Sequence, residues 1–158
     1  MMWEWILWAA SAALMWGYIG LMIVRHGMAS VVSEYAYRGR MWAFSLCLGG
    51  AAVLLMPVLV EEAPEWGKML GFGAAAALGF VAVAPRYKEE ESRVHNVAAA
   101  VAGALGVAWT LGVEPMAVAG ALLFWLVMGT ATRKWWLMAE IGGLFMVYAA
   151  AMARITLP

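Results

Sequence analysis

Long apolar runs dominate the chain, and short clusters of charged residues and prolines separate them. Six runs are long enough to cross a membrane as helices, which takes about 20 residues. Lipid cannot hydrogen-bond an exposed backbone, and no run shows the strict alternation of a barrel strand, so each run predicts a helix. The predicted spans are approximately Trp3–Val24, Met41–Val60, Met69–Ala84, Asn96–Val113, Pro115–Thr132 and Trp135–Ala153. We therefore expect an all-α fold, a polytopic transmembrane helix bundle that forms one domain over residues 1–158.

Composition supports this class of protein. Hydrophobic residues make up 66% of the chain and charged residues 13%, well outside the range of soluble domains. The formal net charge is zero, so total charge gives no reason to expect a nucleic-acid partner. The single cysteine, Cys47, excludes an intramolecular disulfide and a cysteine-based zinc site, and its apolar surroundings predict a buried, inert thiol.

Lysine and arginine are distributed unequally between the two sides of the predicted bundle. Eight lie in the links between spans one and two, three and four, and five and six, and two lie on the other side. The eight are Arg25, Arg38, Arg40, Arg86, Lys88, Arg93, Arg133 and Lys134, and the two are Lys68 and Arg154. The positive-inside rule makes the first side cytoplasmic, so both termini are predicted to be non-cytoplasmic. We expect a multi-pass protein of the cell membrane, most simply the bacterial inner membrane.

Two links between spans are rich in polar residues. The link from Arg25 to Arg40 predicts an interfacial helix or an extension of the second span, which would place Tyr35 and Tyr37 at headgroup depth. The link from Pro85 to His95 is the most polar segment and is predicted to be a solvated loop, because Pro85 disfavours continuation of the third helix.

Glu140 is the most informative polar residue because it lies inside the sixth predicted span. It lies about 8 Å below the end of that span at roughly 1.5 Å per residue. A charge at the centre of a transmembrane helix costs roughly 2.5 to 3.5 kcal/mol, so this carboxyl group needs a partner, a proton or water. Gly143 lies on the same helical face, which suggests a face turned towards other helices. Two interpretations stay open: a packing device held by a nearby arginine or tyrosine, and a functional carboxylate.

Further candidate site residues lie on the same predicted side. His95 and Asn96 open the fourth span and are expected to point into the bundle, and the first link could fold over the helix ends. The predicted ligand-binding residues are Tyr35, Tyr37, Arg38, His95, Asn96 and Glu140. Ser33, His95 and Glu140 are candidates for a catalytic set, although geometry and not presence in one layer defines a triad. His26 and His95 are too few for a catalytic metal site, so we expect neither metal nor cofactor.

Small residues predict close helix packing. Gly71, Gly73 and Gly79 with Ala74–Ala77 in the third span, and Gly103 and Gly106 in the fourth, would let helix backbones approach in lipid. Such faces pack helices within one subunit or between subunits, so a homo-oligomer is one expected outcome.

Three short motifs resemble an uncharacterised family of small bacterial or phage-encoded polytopic membrane proteins. They are Ser33-Glu34-Tyr35-Ala36-Tyr37, Val83-Ala84-Pro85-Arg86-Tyr87-Lys88 and Val94-His95-Asn96. The resemblance implies a shared fold and a shared polar cytoplasmic layer, and it implies no activity.

These features favour a protein that binds membrane lipid, a small amphipathic ligand or a protein partner through the polar cytoplasmic layer. A second hypothesis is a small transporter of protons, cations or another solute that uses Glu140 and His95. A third is an intramembrane hydrolase that uses Ser33, His95 and Glu140.

Overall fold

The computed structural model describes residues 2–84 and 91–157, and every regular element in these ranges is helical. The helices are α1 (Met2–His26), α2 (Tyr35–Arg38), α3 (Met41–Glu61), α4 (Lys68–Val83), α5 (Glu91–Val113), α6 (Pro115–Thr132) and α7 (Trp135–Thr156). Two 3-10 turns, Val32–Glu34 and Glu65–Gly67, precede α2 and α4. All helices except α2 are long and apolar enough to cross a membrane, with α4 counted from Glu65 and α5 from Arg93. The predicted all-α, six-span membrane bundle is confirmed, whereas the side on which the termini lie stays a prediction.

The residues at helix boundaries explain where some helices begin or end. Gly27 stops α1 because it adopts a left-handed conformation, with φ of 71°, that glycine enters without strain. Pro115 opens α6 at a position where its missing N–H costs no hydrogen bond. The start of α5 at Glu91 differs from the sequence prediction, since residues 91–95 were expected in a solvated loop. The reason is that apolar content identifies only the part of a helix that lies in lipid, whereas the hydrogen-bonded helix can continue beyond the lipid. Residues 85–90 of that predicted loop lie outside the described residues.

The long helices form a ring with one helix outside it. Helices α1, α3, α4, α5 and α7 each pack against the next, and α7 closes the ring by contacting α1. Helix α6 packs on the outside against α7 and α5. This arrangement leaves a space between α3, α4, α5 and α7.

Glycine sets the close approach of α3 and α4. A Cβ atom added to Gly71 would lie 2.8 Å from the backbone oxygen of Leu59, so a larger residue forces the helices apart. Gly106 of α5 similarly lies against Val147 of α7, where an added Cβ would be 3.2 Å from a side-chain methyl group. These two glycines therefore pack helices within one chain. A homo-oligomer stays a prediction.

Successive long helices run in opposite directions, so the charged residues of the links lie at the two ends of the bundle. We call one end the basic end, and among the described residues it holds Arg25, Arg38, Arg40, Arg93, Arg133 and Lys134. Helix α7, which follows Lys134, contacts the turn Val32–Glu34, so the link after α6 and the link after α1 lie at the same end of the bundle. Arg86 and Lys88 fall outside the described residues.

Candidate functional site

The segment between α1 and α3 folds back onto the end of α1 through Tyr35. The Tyr35 side chain is fully buried, and its hydroxyl donates to the Gly27 carbonyl at 3.0 Å and accepts from the Ala29 N–H at 3.1 Å. Tyr18 of α1 donates to the Tyr35 carbonyl at 3.3 Å. These bonds bury the ring in the protein at the end of α1, and the depth of Tyr35 in the membrane stays a prediction. Tyr35 holds the segment in place and does not line the cavity described below.

An ion pair fixes the 3-10 turn Val32–Glu34 from its outer side. Arg38 pairs with Glu34, and its Nη1 also donates to the His26 carbonyl at 3.1 Å. The Ser30 N–H donates to Glu34 at 2.7 Å. This backbone hydrogen bond, followed by the Arg38 guanidinium, holds the pKa of the Glu34 carboxyl below its ordinary value.

Glu140 attaches the same turn to α7 from its inner side. Its Oε2 accepts a hydrogen bond of 2.5 Å from the backbone N–H of Val32, which is itself buried. The predicted arginine or tyrosine partner is thus replaced by a main-chain donor. Among the described residues the other carboxyl oxygen accepts no hydrogen bond, and Glu140 lines a cavity.

That cavity lies inside the helix ring and has a volume of about 480 Å³. Its wall extends roughly 18 Å along α5 from His95 to Val107 at about 1.5 Å per residue. Three polar side chains, Ser33, His95 and Glu140, line it at the basic end. Most of the remaining wall is apolar, and it includes Phe44, Leu48, Leu55, Leu59, Leu78, Val81, Leu144 and Val147. The cavity is therefore long and mostly apolar, with Ser33, His95 and Glu140 at one end.

With respect to the described residues, His95 has unused hydrogen-bonding capacity at this polar end. Its Nδ1 is buried and has no hydrogen-bond partner among the described residues, while the backbone of Val81 interacts with the ring. Buried polar atoms are nearly always paired in native proteins, so an orphaned ring nitrogen in a cavity wall suits contact with a ligand or water.

Tyr148 adds a second polar position deeper in the cavity wall, and the sequence prediction missed it. Ser11 donates its hydroxyl hydrogen to the Ala51 carbonyl at 2.7 Å, so the 2.6 Å contact between Ser11 and Tyr148 has Tyr148 as donor. Trp8 donates to the Tyr148 carbonyl at 3.0 Å. These bonds join α1, α3 and α7. A hydroxyl in the middle of an apolar span is the signal that would have revealed Tyr148.

The remaining predicted site residues lie elsewhere. Asn96 is exposed and does not line the cavity, because one residue along an α-helix turns a side chain by about 100° from its neighbour His95. Tyr37 and Arg38 are also exposed. His26 lines a different groove from His95. Cys47, predicted to be buried, is only partly buried and lines the same groove as His26.

The arrangement can bind, but it lacks the contacts of a catalytic triad. Ser33, His95 and Glu140 line one cavity, yet no hydrogen bond joins any two of them in the described part of the chain. A nucleophile needs a base within hydrogen-bond reach, and the base needs a residue that orients it. Residues 2–84 and 91–157 also contain no group of three or more histidine, cysteine or acidic residues able to hold a metal ion.

Comparison with known proteins adds no family to this description. No model of a protein family, no curated protein and no solved structure matches the chain. What the fold defines is a multi-pass membrane protein with a cavity between its helices.

Proposed function

We propose that the protein binds a single-chain amphipathic molecule in the cavity, with the polar head at Ser33, His95 and Glu140. The observation that carries this proposal is the shape of the cavity, long and apolar with polar groups at one end. Small-molecule sites commonly occupy 300 to 1,000 Å³ and combine apolar walls with a few polar groups that orient the ligand, and the present volume of about 480 Å³ lies within that range.

The polar groups favour a head that donates hydrogen bonds. The Glu140 oxygen that does not bond to Val32 can accept a hydrogen bond. The hydroxyl of Ser33 and the imidazole of His95 can both donate and accept hydrogen bonds. An uncharged, hydroxyl-bearing head can form hydrogen bonds with all three groups, whereas an anionic head would be repelled by the Glu140 carboxylate. Monoacylglycerol, with one alkyl chain and two hydroxyls, is the probe of choice.

A glycine in the cavity wall provides a direct test. Gly143 of α7 lines the cavity one turn from Glu140, and no described atom lies within 4 Å of an added Cβ. Gly143→Leu would place its side chain in the cavity without displacing the backbone. Gly20 of α1 is equally open but does not line the cavity, so Gly20→Leu is the matched control.

The measurement is native mass spectrometry of protein in polymer-bounded nanodiscs loaded with monooleoylglycerol. Detergent is avoided because its alkyl chain and hydroxylated head would compete for the same space. We expect the wild type and Gly20→Leu to retain the probe and Gly143→Leu to lose it. Equal retention in all three proteins, or retention in none, contradicts the proposal.

Proton or cation transport is a second candidate, which is favoured by the presence of two titratable groups, His95 and Glu140, in one cavity wall. Liposomes loaded with a pH-sensitive dye test it. Transport requires flux above that of empty vesicles and its loss in Glu140→Gln.

The hydrolase hypothesis requires labelling of Ser33 by a serine-directed probe and loss of that labelling in His95→Ala.

We place the protein in the bacterial inner membrane with the basic end in the cytoplasm, on the strength of the positive-inside rule. Single cysteines in a Cys47→Ser background test this orientation. Glu61→Cys should react with a membrane-impermeant reagent added to intact cells, and Arg133→Cys should not, since both positions are exposed at opposite ends of the bundle. The reverse pattern would overturn the orientation.

A further inference from the structure

A second, separate groove lies on the outside of the helix ring, between α1 and α3 at the basic end. Its lower part is apolar and includes Leu14, Gly17, Leu21 and Leu46, and its upper rim carries Arg25, His26, Arg38 and Arg40. None of these residues lines the internal cavity. The groove extends roughly 16 Å along α1 from Arg25 to Leu14.

Among the described residues, much of the charge on the rim has no acidic partner. Arg38 is already bound by Glu34 and the His26 carbonyl. Arg25 and Arg40, in contrast, make no ion pair or side-chain hydrogen bond to any described residue, and the groove lining in that part of the chain contains no acidic side chain. Two guanidinium groups without an ion pair in the described part of the chain therefore lie at the same end of an apolar channel.

The surroundings of the groove are those of a lipid-facing surface. Leu21 and Leu46 are 46% and 61% exposed although both lie within spans long enough to cross the membrane. Trp42 stands beside the arginines and is also exposed, as is usual for indoles at the headgroup level. The floor is open at Gly17, where no described atom lies within 4 Å of an added Cβ.

We infer that this groove binds an anionic phospholipid of the surrounding bilayer, with its phosphate at Arg25 and Arg40 and one acyl chain along Gly17, Leu21 and Leu46. Guanidinium groups bind phosphate through paired, charge-assisted hydrogen bonds, and basic pockets between transmembrane helices hold anionic headgroups. A zwitterionic lipid fits the apolar channel but carries a cationic group that the arginines disfavour. The inference is independent of the proposed ligand of the internal cavity and of the side on which the termini lie.

Two variants remove the two halves of the site separately. Arg25→Gln with Arg40→Gln removes the charge, and Arg93→Gln with Arg133→Gln is the control with the same charge change at the same end of the bundle but outside the groove. Gly17→Phe fills the channel and leaves the arginines in place. Gly120→Phe is its control, since Gly120 of α6 is exposed and equally open.

The readout is native mass spectrometry of protein in nanodiscs made of equal parts phosphatidylglycerol and phosphatidylcholine. The wild type should retain phosphatidylglycerol selectively, and the Arg25/Arg40 variant should retain roughly thirtyfold less, from about 1 kcal/mol for each of the two basic residues at a lipid surface. Gly17→Phe should lose the lipid as well, and both controls should retain it. Thermal unfolding of each variant confirms that it is folded.

Three results overturn the inference. One is an equal loss in the Arg25/Arg40 and Arg93/Arg133 variants, which indicates general attraction to the basic end. Another is evidence of a site for free anions. That evidence would be retention of the lipid in Gly17→Phe with loss only in the arginine variant, or displacement of the lipid by excess inorganic phosphate. Equal retention of the two phospholipids by the wild type is the third.

Discussion

Replacement of Glu140 tests how the turn Val32–Glu34 is held over the cavity. Glu140→Ala removes the only acceptor that the structure shows for the Val32 N–H, and Val32 is 4% exposed, so water reaches that donor poorly. A hydrogen bond to a charged group contributes about 1.5 to 3 kcal/mol, and a buried donor without a partner costs a similar amount. For a chain of this size, each kcal/mol shifts Tm by about 2 to 4 °C. We therefore expect Glu140→Ala to lower Tm by about 3 to 12 °C.

Glu140→Gln separates the hydrogen bond from the charge. Glutamine keeps an oxygen that can accept from Val32 and removes a carboxylate that is costly to bury. These two effects oppose each other, so we expect a Tm close to that of the wild type. A large loss in Glu140→Gln would mean that the charge and not the acceptor holds the turn.

Two measurements in nanodiscs check this prediction. Thermal unfolding gives Tm, and amide hydrogen exchange of the segment around Val32 reports whether the turn opens; exchange should rise in Glu140→Ala alone. Thr130→Ala is the control, because Thr130 is exposed and its hydroxyl bonds only to carbonyl groups of its own helix. An unchanged Tm and unchanged exchange in Glu140→Ala would refute the proposed role of the hydrogen bond.

Three further predictions concern stability. Gly71→Ala should destabilise the protein by about 1 to 3 kcal/mol because the new methyl group meets the Leu59 backbone, whereas Gly79→Ala on the same helix meets no described atom and should not; similar unfolding of the two variants would contradict this. Tyr35→Phe should cost about 1 to 3 kcal/mol, since the Ala29 N–H loses its acceptor, and unfolding in mixed micelles measures the loss. Burial and neighbouring carboxylates raise the pKa of Glu62 in the folded protein, so stability should fall as pH rises from the unfolded pKa through the raised folded value. Glu62→Gln should weaken that fall in a Tm series against pH, and an unchanged slope would argue against it.

The sequence by itself determined the number of membrane spans, their approximate positions and the kind of protein. Apolar length is a local property, because each span must satisfy its own backbone hydrogen bonds in lipid, so the spans can be read without knowing their neighbours. The same holds for Glu140, whose place inside a span identifies it as a costly group that needs a partner. The predicted start of α5 was too late in the chain because hydropathy does not indicate whether a helix continues beyond the lipid.

Only the tertiary structure decided which polar groups meet. The partner of Glu140 is a backbone N–H, which every residue carries and no side-chain pattern reveals. His95 enters the cavity and Asn96 does not, because packing sets the rotation of α5 about its axis. The buried hydrogen bonds of Tyr35 to Gly27 and Ala29 likewise depend on how the segment folds back onto the end of α1. A cavity depends on the rotation and spacing of several helices at once, and those quantities arise from contacts between residues far apart in the chain.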